Sequence, residues 1–319
     1  MGNAKRALMI INPTARSLPS PDRLATAPAW LRLHGWEVVE RRTEGAGHAT
    51  VLAREAVVAG IDAVVAVGGD GTVNEAANGL TGSPAPLAVI PAGTANVWAR
   101  EVRLPTHPAA CARLLDEGAV RRLDLGVVND RHFLLMASLG VDSVVVAAIS
   151  PWAKRRFGRL AYITSGVREA ITFPPLRARI RLDGRLMPEE LLLLVVGNTR
   201  SYGGLITITN RAVADDGLLD LVVYRGAGFG RFVGYLARTA IGRHVTAPGT
   251  HYQHARTIDV ETDDPLPVQA DGELVGSTPA RFRVAPGALR VIVPAGLSSH
   301  LFQHPPEAGP RPHLPAAGG

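Results

Sequence analysis

The run Ala63-Val64-Val65-Ala66-Val67-Gly68-Gly69-Asp70-Gly71-Thr72-Val73-Asn74-Glu75 constrains this chain more than any other stretch. An apolar, β-branched strand leads into three glycines and one carboxylate, then into a helix expected from Val73 to Asn78. Glycine tolerates positive φ and places no side chain between backbone and ligand, so amide groups can approach phosphate oxygens. The helix N-terminus adds a positive dipole end at the same place. Asp70 stands where a carboxylate could hold Mg²⁺ or its water shell. The plainer reading is a tight strand-to-helix turn capped by Asp70. The strand before it, the helix after it and the companion segments favour a nucleoside-triphosphate site without a Walker lysine. No G-x-x-x-x-G-K-[ST] occurs, and no G-x-G-x-x-G opens a helix after the first strand.

With 319 residues, 46% of them hydrophobic and 19% charged, the chain is long enough for two domains with their own cores. The first third alternates strand and helix. Strands are expected at Arg6–Ile11, Trp36–Glu40, Ala63–Val67 and Leu87–Ile90, with helices at Asp22–Leu33 and Gly47–Val58. That alternation predicts an α/β domain with a mainly parallel sheet, whose ligands collect beyond the carboxyl ends of the strands. Asn12, Asp70 and the Gly93-Thr94 loop all fall there.

After about Leu123 the texture changes. Strands are expected at Phe133–Ala137, Arg177–Leu182, Leu191–Val196, Leu218–Tyr224, Thr257–Glu261 and Ala280–Val284. Asp183-Gly184, Asp216-Gly217 and Asp271-Gly272 mark turns between them. The pattern predicts a β-rich, antiparallel second domain with helical insertions near Val144–Ile171 and Phe229–Ile241. The Pro- and Gly-rich tail, residues 303–319, reads as disordered.

Read onward through Val73-Asn74-Glu75-Ala76-Ala77-Asn78-Gly79, the glycine turn resembles that of the bacterial diacylglycerol kinase-like lipid kinases. That family includes sphingosine and ceramide kinases, and its superfamily contains NAD kinases and phosphofructokinases. The resemblance extends to about residue 296. It implies an NAD kinase-like nucleotide domain over residues 1–124 and a sandwich-like lipid-substrate domain over 125–296. It also implies that residues 297–302 return to the first domain and that the active site lies in the cleft between the domains.

The resemblance assigns nucleotide contacts residue by residue. Asn12-Pro13-Thr14-Ala15-Arg16 follows the first strand, with Arg16 departing from the small residues usual in the family. Thr43, Gly68, Gly69, Asp70, Gly71, Thr72, Val73, Asn74 and Glu75 continue the pocket. Gly93, Thr94 and Asn96 in Pro91-Ala92-Gly93-Thr94-Ala95-Asn96 complete it. The family continues this motif with Asp, where this chain has Val97. Asp124, in an Asp-Leu-Gly, matches a carboxylate at the domain junction; a plain capping role is its alternative.

Phosphoryl transfer to a hydroxyl needs positioning, charge neutralisation and a proton acceptor. By resemblance Glu273 is that acceptor and Asp271 supports it, although Asp-Gly is also a common hairpin signal. Ala214-Asp215-Asp216-Gly217-Leu218 resembles a structural Mg²⁺ loop, with ligands Asp216 and the carbonyls of Val213 and Leu218. A hairpin without an ion is the alternative. Asn210 stands where a proline is usual.

The net charge is +6, and cations cluster with aromatics at Trp152, Lys154, Arg155, Arg156, Phe157 and Arg159. Such a segment suits an anionic membrane surface as readily as a solvated helix face. No nucleic-acid motif accompanies it. The histidines show no metal-site spacing. The lone Cys111 excludes an intramolecular disulfide and reads as core in a reducing cytosol. No apolar stretch is long enough to span a bilayer, and Met1–Arg6 leads straight into a strand. The expectation is a cytoplasmic kinase, peripheral at the inner membrane face, that uses ATP and Mg²⁺ on a lipid alcohol, diacylglycerol first. A homodimer is left open. A kinase of a soluble acceptor such as NAD, or a non-catalytic nucleotide or lipid sensor, is the alternative.

Overall fold

The structure is a computed structural model that describes residues 4–148, 176–204, 206–226 and 228–307. The basic segment around Trp152–Arg159 and most of the insertion expected over Val144–Ile171 lie outside the described residues. The chain forms two compact units, one from Met1–Leu123 with Gly287–Gly319 and one from Asp124–Pro286.

The first unit alternates β1 (Lys5–Ile11), α1 (Pro21–Leu33), β2 (Trp36–Arg42), α2 (His48–Val58), β3 (Ala63–Gly68), α3 (Asp70–Leu80) and β4 (Leu87–Pro91). Short α4 (Val97–Glu101) and α5 (Pro108–Glu117) follow. The parallel order β4-β3-β1-β2 is set by registers such as Leu8↔Val64, Val64↔Leu87 and Leu8↔Val39. Every residue of β3 is buried, as a central strand covered on both faces must be. Met9, Val65, Ala88, Leu31 and Cys111 share the core. Cys111 is therefore a packing residue, and burial pushes its thiol up to about 12.

A fifth strand joins this sheet from far along the sequence. The end of β17 (Ala280–Val293) runs parallel to β4 with Val291 opposite Leu87, and the Gly82 N–H donates to the Ala288 carbonyl at 2.8 Å. The return to the first unit thus begins at Gly287 instead of the expected Leu297. Residues 303–307, expected in a disordered tail, are also held. The Glu307 N–H donates to the Val120 carbonyl at 2.9 Å, and its carboxylate pairs with Arg122 and, at 3.0 Å, Arg290.

The second unit is antiparallel. It begins within β5 (Ala119–Val128) and continues with β6 (Arg131–Phe133), β7 (Met136–Gly140), α6 (Val141–Ala148), β8 (Leu176–Leu182) and β9 (Arg185–Gly197). Short β10 (Ser201–Tyr202) and β11 (Ile206–Thr207) precede β12 (Leu219–Arg225) and α7 (Phe229–Ala240). Then come β13 (Thr250–Ala255), β14 (Thr257–Thr262), β15 (Pro267–Ala270), β16 (Glu273–Ser277) and the start of β17. Strand order runs β16-β15-β7-β9-β8-β14-β17, with β12 pairing both β9 and β13. The thirteen-residue β9 is the hinge of this arrangement, because its first half pairs β8 and its second half pairs both β7 and β12. Phe133, Leu194, Val196, Leu221, Val260 and Phe282 fill the core of the resulting sandwich. The strand expected over Phe133–Ala137 is two strands separated at Leu134-Leu135.

Candidate functional site

In the first unit three loops meet beyond the carboxyl ends of β1, β3 and β4, and Asn12 joins two of them. Its backbone N–H donates to the Val67 carbonyl at 2.9 Å. Its Nδ2 donates to Thr72 Oγ1 at 3.0 Å, while its Oδ1 accepts the Thr14 amide at 2.9 Å and the Thr14 hydroxyl at 2.8 Å. The Ser17 N–H donates to the Ala92 carbonyl at 2.8 Å, and the Thr43 N–H to Ile11 at 2.9 Å. Asn12 therefore shapes the loop that carries Pro13, Thr14, Ala15 and Arg16.

The glycines are required here for a reason other than positive φ. Gly69 lies at φ −90°, and a Cβ on Gly93 would stand 2.5 Å from the Gly69 Cα. One on Gly68 would meet Thr72 Cβ at 2.5 Å. The two loops touch backbone to backbone, and only glycine allows that approach. Helix α3 starts at Asp70, three residues before the expected Val73, with Gly69 as N-cap. Asp70, Gly71 and Thr72 thus form its first turn, where helix amides lack intrahelical acceptors and a phosphate is favoured. Gly71, Thr14, Arg16 and Thr94 are exposed, whereas Thr72, Val73 and Asn74 are buried behind them.

Asp70 reaches across to α4. One carboxylate oxygen accepts the Val97 N–H at 2.6 Å. Burial raises its pKa, opposed by the backbone amides of Val97, Trp98, Asp70 and Asn96. Asn96 clasps Gly93 in both directions, accepting its N–H and donating to its carbonyl at 2.8 Å each. Glu75 points elsewhere: its two oxygens accept the Gly47 and Ala49 amides at 2.8 and 3.1 Å, capping α2. Among the described residues no group of three or more His, Cys, Asp or Glu is arranged to hold a metal. A Mg²⁺ that arrives on a triphosphate needs only one or two protein carboxylates, and a desolvated Asp70 suits that requirement.

In the second unit Asp271 and Gly272 form the two-residue turn between β15 and β16, at φ +49° and +84°. Both signs are those of a type I′ hairpin. The Asp271 carboxylate accepts three backbone amides, Leu134 at 2.8 Å and Leu135 and Met136 at 3.0 Å. Glu273, the first residue of β16, pairs with Arg131 at the start of β6. Behind the turn runs a polar chain that sequence reading did not find. The Gly272 N–H donates to Gln269 Oε1 at 2.8 Å, and Gln269 Nε2 donates to Ser138 Oγ at 2.6 Å and Asp142 Oδ2 at 3.1 Å. Tyr202 and Ser138 also donate to Asp142, whose pKa burial raises. Its signal was a lone acid in the apolar run from Met136 to Ile149.

Asp124 is buried and fastens the candidate metal loop. Its N–H donates to the Ala214 carbonyl at 2.7 Å, and its Oδ2 accepts the Gly217 N–H at 2.6 Å. Asp216 Oδ1 accepts the Leu218 N–H at 2.9 Å. Burial raises the Asp216 pKa, and the Asp220 and Asp215 carboxylates add to this. The ligands that the resemblance implies here, Asp216 with the carbonyls of Val213 and Leu218, are one carboxylate and two carbonyl oxygens, the oxygen-only chemistry that a hard cation takes.

Comparison with known proteins places these features in context. Residues 6–128 match the diacylglycerol kinase catalytic domain, and residues 136–293 match the YegS C-terminal NAD kinase beta sandwich-like domain. A diacylglycerol kinase of Bacillus subtilis is 30% identical over 300 residues, spanning 93% of this chain and 99% of that protein. A "probable lipid kinase YegS-like" of Pseudomonas aeruginosa is 36% identical over 287 residues, 89% of this chain and 93% of that one. A crystal structure of a diacylglycerol kinase from Bacillus anthracis superimposes with a TM-score of 0.76 at 26% identity, covering 92% of this chain and 98% of that one.

Proposed function

The chain belongs to the diacylglycerol kinase family of lipid kinases, and we propose from that premise that it transfers the γ-phosphoryl group of ATP to the hydroxyl of a membrane lipid alcohol, diacylglycerol first. The observation that carries the reading is the first turn of α3, where exposed Gly71 opens a helix N-terminus beside the half-buried Asp70 carboxylate.

On this reading the amides of Asp70, Gly71 and Thr72 bind phosphate oxygens, and Thr14, Arg16, Thr43 and Thr94 border the nucleotide. Mg²⁺, when bound, supplies charge neutralisation on the phosphates; Asp70 is the residue that would hold it, with Asp124 in the supporting role the resemblance gives it. Glu273 takes the proton of the lipid hydroxyl as the new O–P bond forms and the bond to the ADP oxygen breaks. Arg131 engages Glu273 Oε2, which leaves Oε1 for that proton. Asp271 holds the turn on which Glu273 stands. Val97 offers its amide to Asp70 where relatives are expected to place a carboxylate, so Asp70 carries the phosphate-facing charge of this pair alone.

The test is ATP-to-lipid transfer with labelled ATP over a panel of lipid alcohols, comparing the parent with Asp70→Asn and Glu273→Gln. Transfer that falls at least ~100-fold in both variants supports the assignment. Parental rates in both would overturn it. Transfer to NAD in preference to every lipid would establish the soluble-acceptor alternative, and nucleotide binding without transfer would establish a sensor.

A further inference from the structure

Helix α7 is anchored on one side and, among the described residues, exposed on the other. On the inner side Tyr235 and Thr239 are buried. Tyr235 Oη donates to the Arg225 and Gly249 carbonyls at 3.0 and 3.1 Å, and Thr239 Oγ1 lies 2.9 Å from Tyr224 Oη. Leu192, Ile206, Tyr224, Phe232 and Leu236 line an apolar cavity beneath the helix. The outward Val233 and Ile241 take no part in that lining, and Leu236 both lines the cavity and stays exposed.

Those outward residues are apolar. Val233 is 45% exposed, Leu236 40% and Ile241, the C-cap, 66%, with exposed Ala237 and Ala240 between them. At about 100° per residue, positions 233, 236, 237, 240 and 241 form one stripe. Exposed Arg231, Arg238 and Arg243 flank it. No acidic residue occurs between Asp220 and Asp259, whereas that interval holds five arginines. An apolar stripe whose own chain segment carries arginines and no carboxylate complements a surface that is apolar within and anionic at its rim.

We infer that the outer face of α7 is an interfacial membrane helix that lies on anionic phospholipid bilayers, with Val233, Leu236 and Ile241 entering the headgroup–acyl boundary and the arginines meeting lipid phosphates. The inference rests on the lipid-kinase reading for its purpose, since an enzyme acting on a bilayer alcohol must stay at that surface through many turnovers. The helix geometry and charge carry it independently of catalysis. The basic segment around Trp152–Arg159, which suits a membrane surface as readily as a solvated face, lies outside the described residues, whereas α7 lies within them.

The experiment is vesicle co-sedimentation of the full chain, using phosphatidylglycerol mixed with phosphatidylcholine and, in parallel, phosphatidylcholine alone. Two triple variants are compared, Val233→Ser/Ala237→Ser/Ile241→Ser, which spares the cavity-lining Leu236, and Arg231→Gln/Arg238→Gln/Arg243→Gln. The apolar triple is expected to bind anionic vesicles at least ~10-fold more weakly. The arginine triple is expected to lose about fivefold per charge and most of its salt sensitivity. Transfer to a water-soluble, short-chain lipid alcohol should stay parental in both, while transfer to vesicle-borne lipid falls. If no lipid is phosphorylated at all, the kinase reading fails and vesicle binding still decides this inference. Parental binding in both triples overturns it. So does a melting temperature lowered by more than ~5 °C in the apolar triple, which would mean the chain itself covers the stripe. A dimer that becomes a monomer in that variant would give the face to a second copy and overturn it equally.

Discussion

The Val97 backbone N–H donates to an Asp70 carboxylate oxygen across 2.6 Å, tying the first turn of α3 to the start of α4. The side chain of Val97 is buried, so position 97 contributes an amide and no charge. Asp70 therefore carries two duties, one toward the protein amides and one toward a ligand cation; both favour the ionised carboxylate, and its burial opposes them.

That conflict predicts a pH signature. Burial raises the folded-state pKa of Asp70 above its ordinary value of 3.8, so the folded protein holds this proton more tightly than the unfolded chain. Its contribution to stability is greatest at low pH and declines as pH rises through the raised pKa. Asp70→Asn keeps a carbonyl oxygen for Val97 without the ionisation cost. Thermal melts of parent and variant should coincide near pH 4 and diverge in favour of the variant as pH rises, while phosphoryl transfer falls at least ~100-fold. A melting curve for the variant that lies below the parent at neutral pH would contradict this.

Asp271 and Glu273 sit two residues apart and should fail differently. Asp271→Ala strands three amides of the Leu134–Met136 segment and should cost roughly 2–4 kcal/mol in denaturant melts. Glu273→Gln disturbs an ion pair whose side chains are 36% and 38% exposed, so solvent screening holds its stability cost below about 1 kcal/mol. Transfer activity should nevertheless disappear in the glutamine variant. Equal stability losses in the two would remove the distinction between turn-holder and proton acceptor.

Gly93→Ala should be far more damaging than Gly69→Ala. The new methyl of the first stands 2.5 Å from the Gly69 backbone, that of the second 3.1 Å from the Gly93 backbone. Urea melts should show a loss of at least ~2 kcal/mol for Gly93→Ala, with a smaller loss for Gly69→Ala. Nucleotide binding, followed by calorimetry, should weaken in the same order.

Glu75 lies in the glycine-turn motif but works at a distance from it. Removing its two bonds to the α2 N-terminus in Glu75→Ala should cost about 1–2 kcal/mol, with nucleotide affinity near parental in calorimetry. A large loss of affinity without a loss of stability would return Glu75 to the nucleotide pocket.

The parallel half of the fold was legible because β3 and β4 are short, wholly apolar runs ending in glycine or proline punctuation. The helix start was placed three residues late because Gly-Gly-Asp-Gly reads as loop, although its last two residues are already helical. The break between β6 and β7 escaped notice since Leu134 and Leu135 look like strand; their amides turn toward Asp271, which is more than a hundred residues away. Asp142 and Arg131 escaped for the same reason, and Glu75, expected at the nucleotide, has partners at the start of α2 that periodicity could not show. Periodicity reports which face of an element is buried, and it is silent about a carboxylate's partner on a distant loop. The resemblance supplied roles for Asp70, Asp271 and Glu273. It could not show that Asp271 is committed to three amides, or that Asn12 spends its whole side chain on Thr14 and Thr72.

The pairing of Val291 with Leu87 has a consequence for synthesis. A nascent chain emerging from the ribosome has β1 through β4 in hand long before β17 exists. Throughout translation of the intervening sandwich, the Leu87–Pro91 border of the sheet lacks its partner and offers open amides and carbonyls to any neighbouring polypeptide. Cutting the gene after the first unit would make that temporary exposure permanent, so the amino-terminal fragment should aggregate unless the segment from Gly287 onward is supplied in trans or spliced back by a linker.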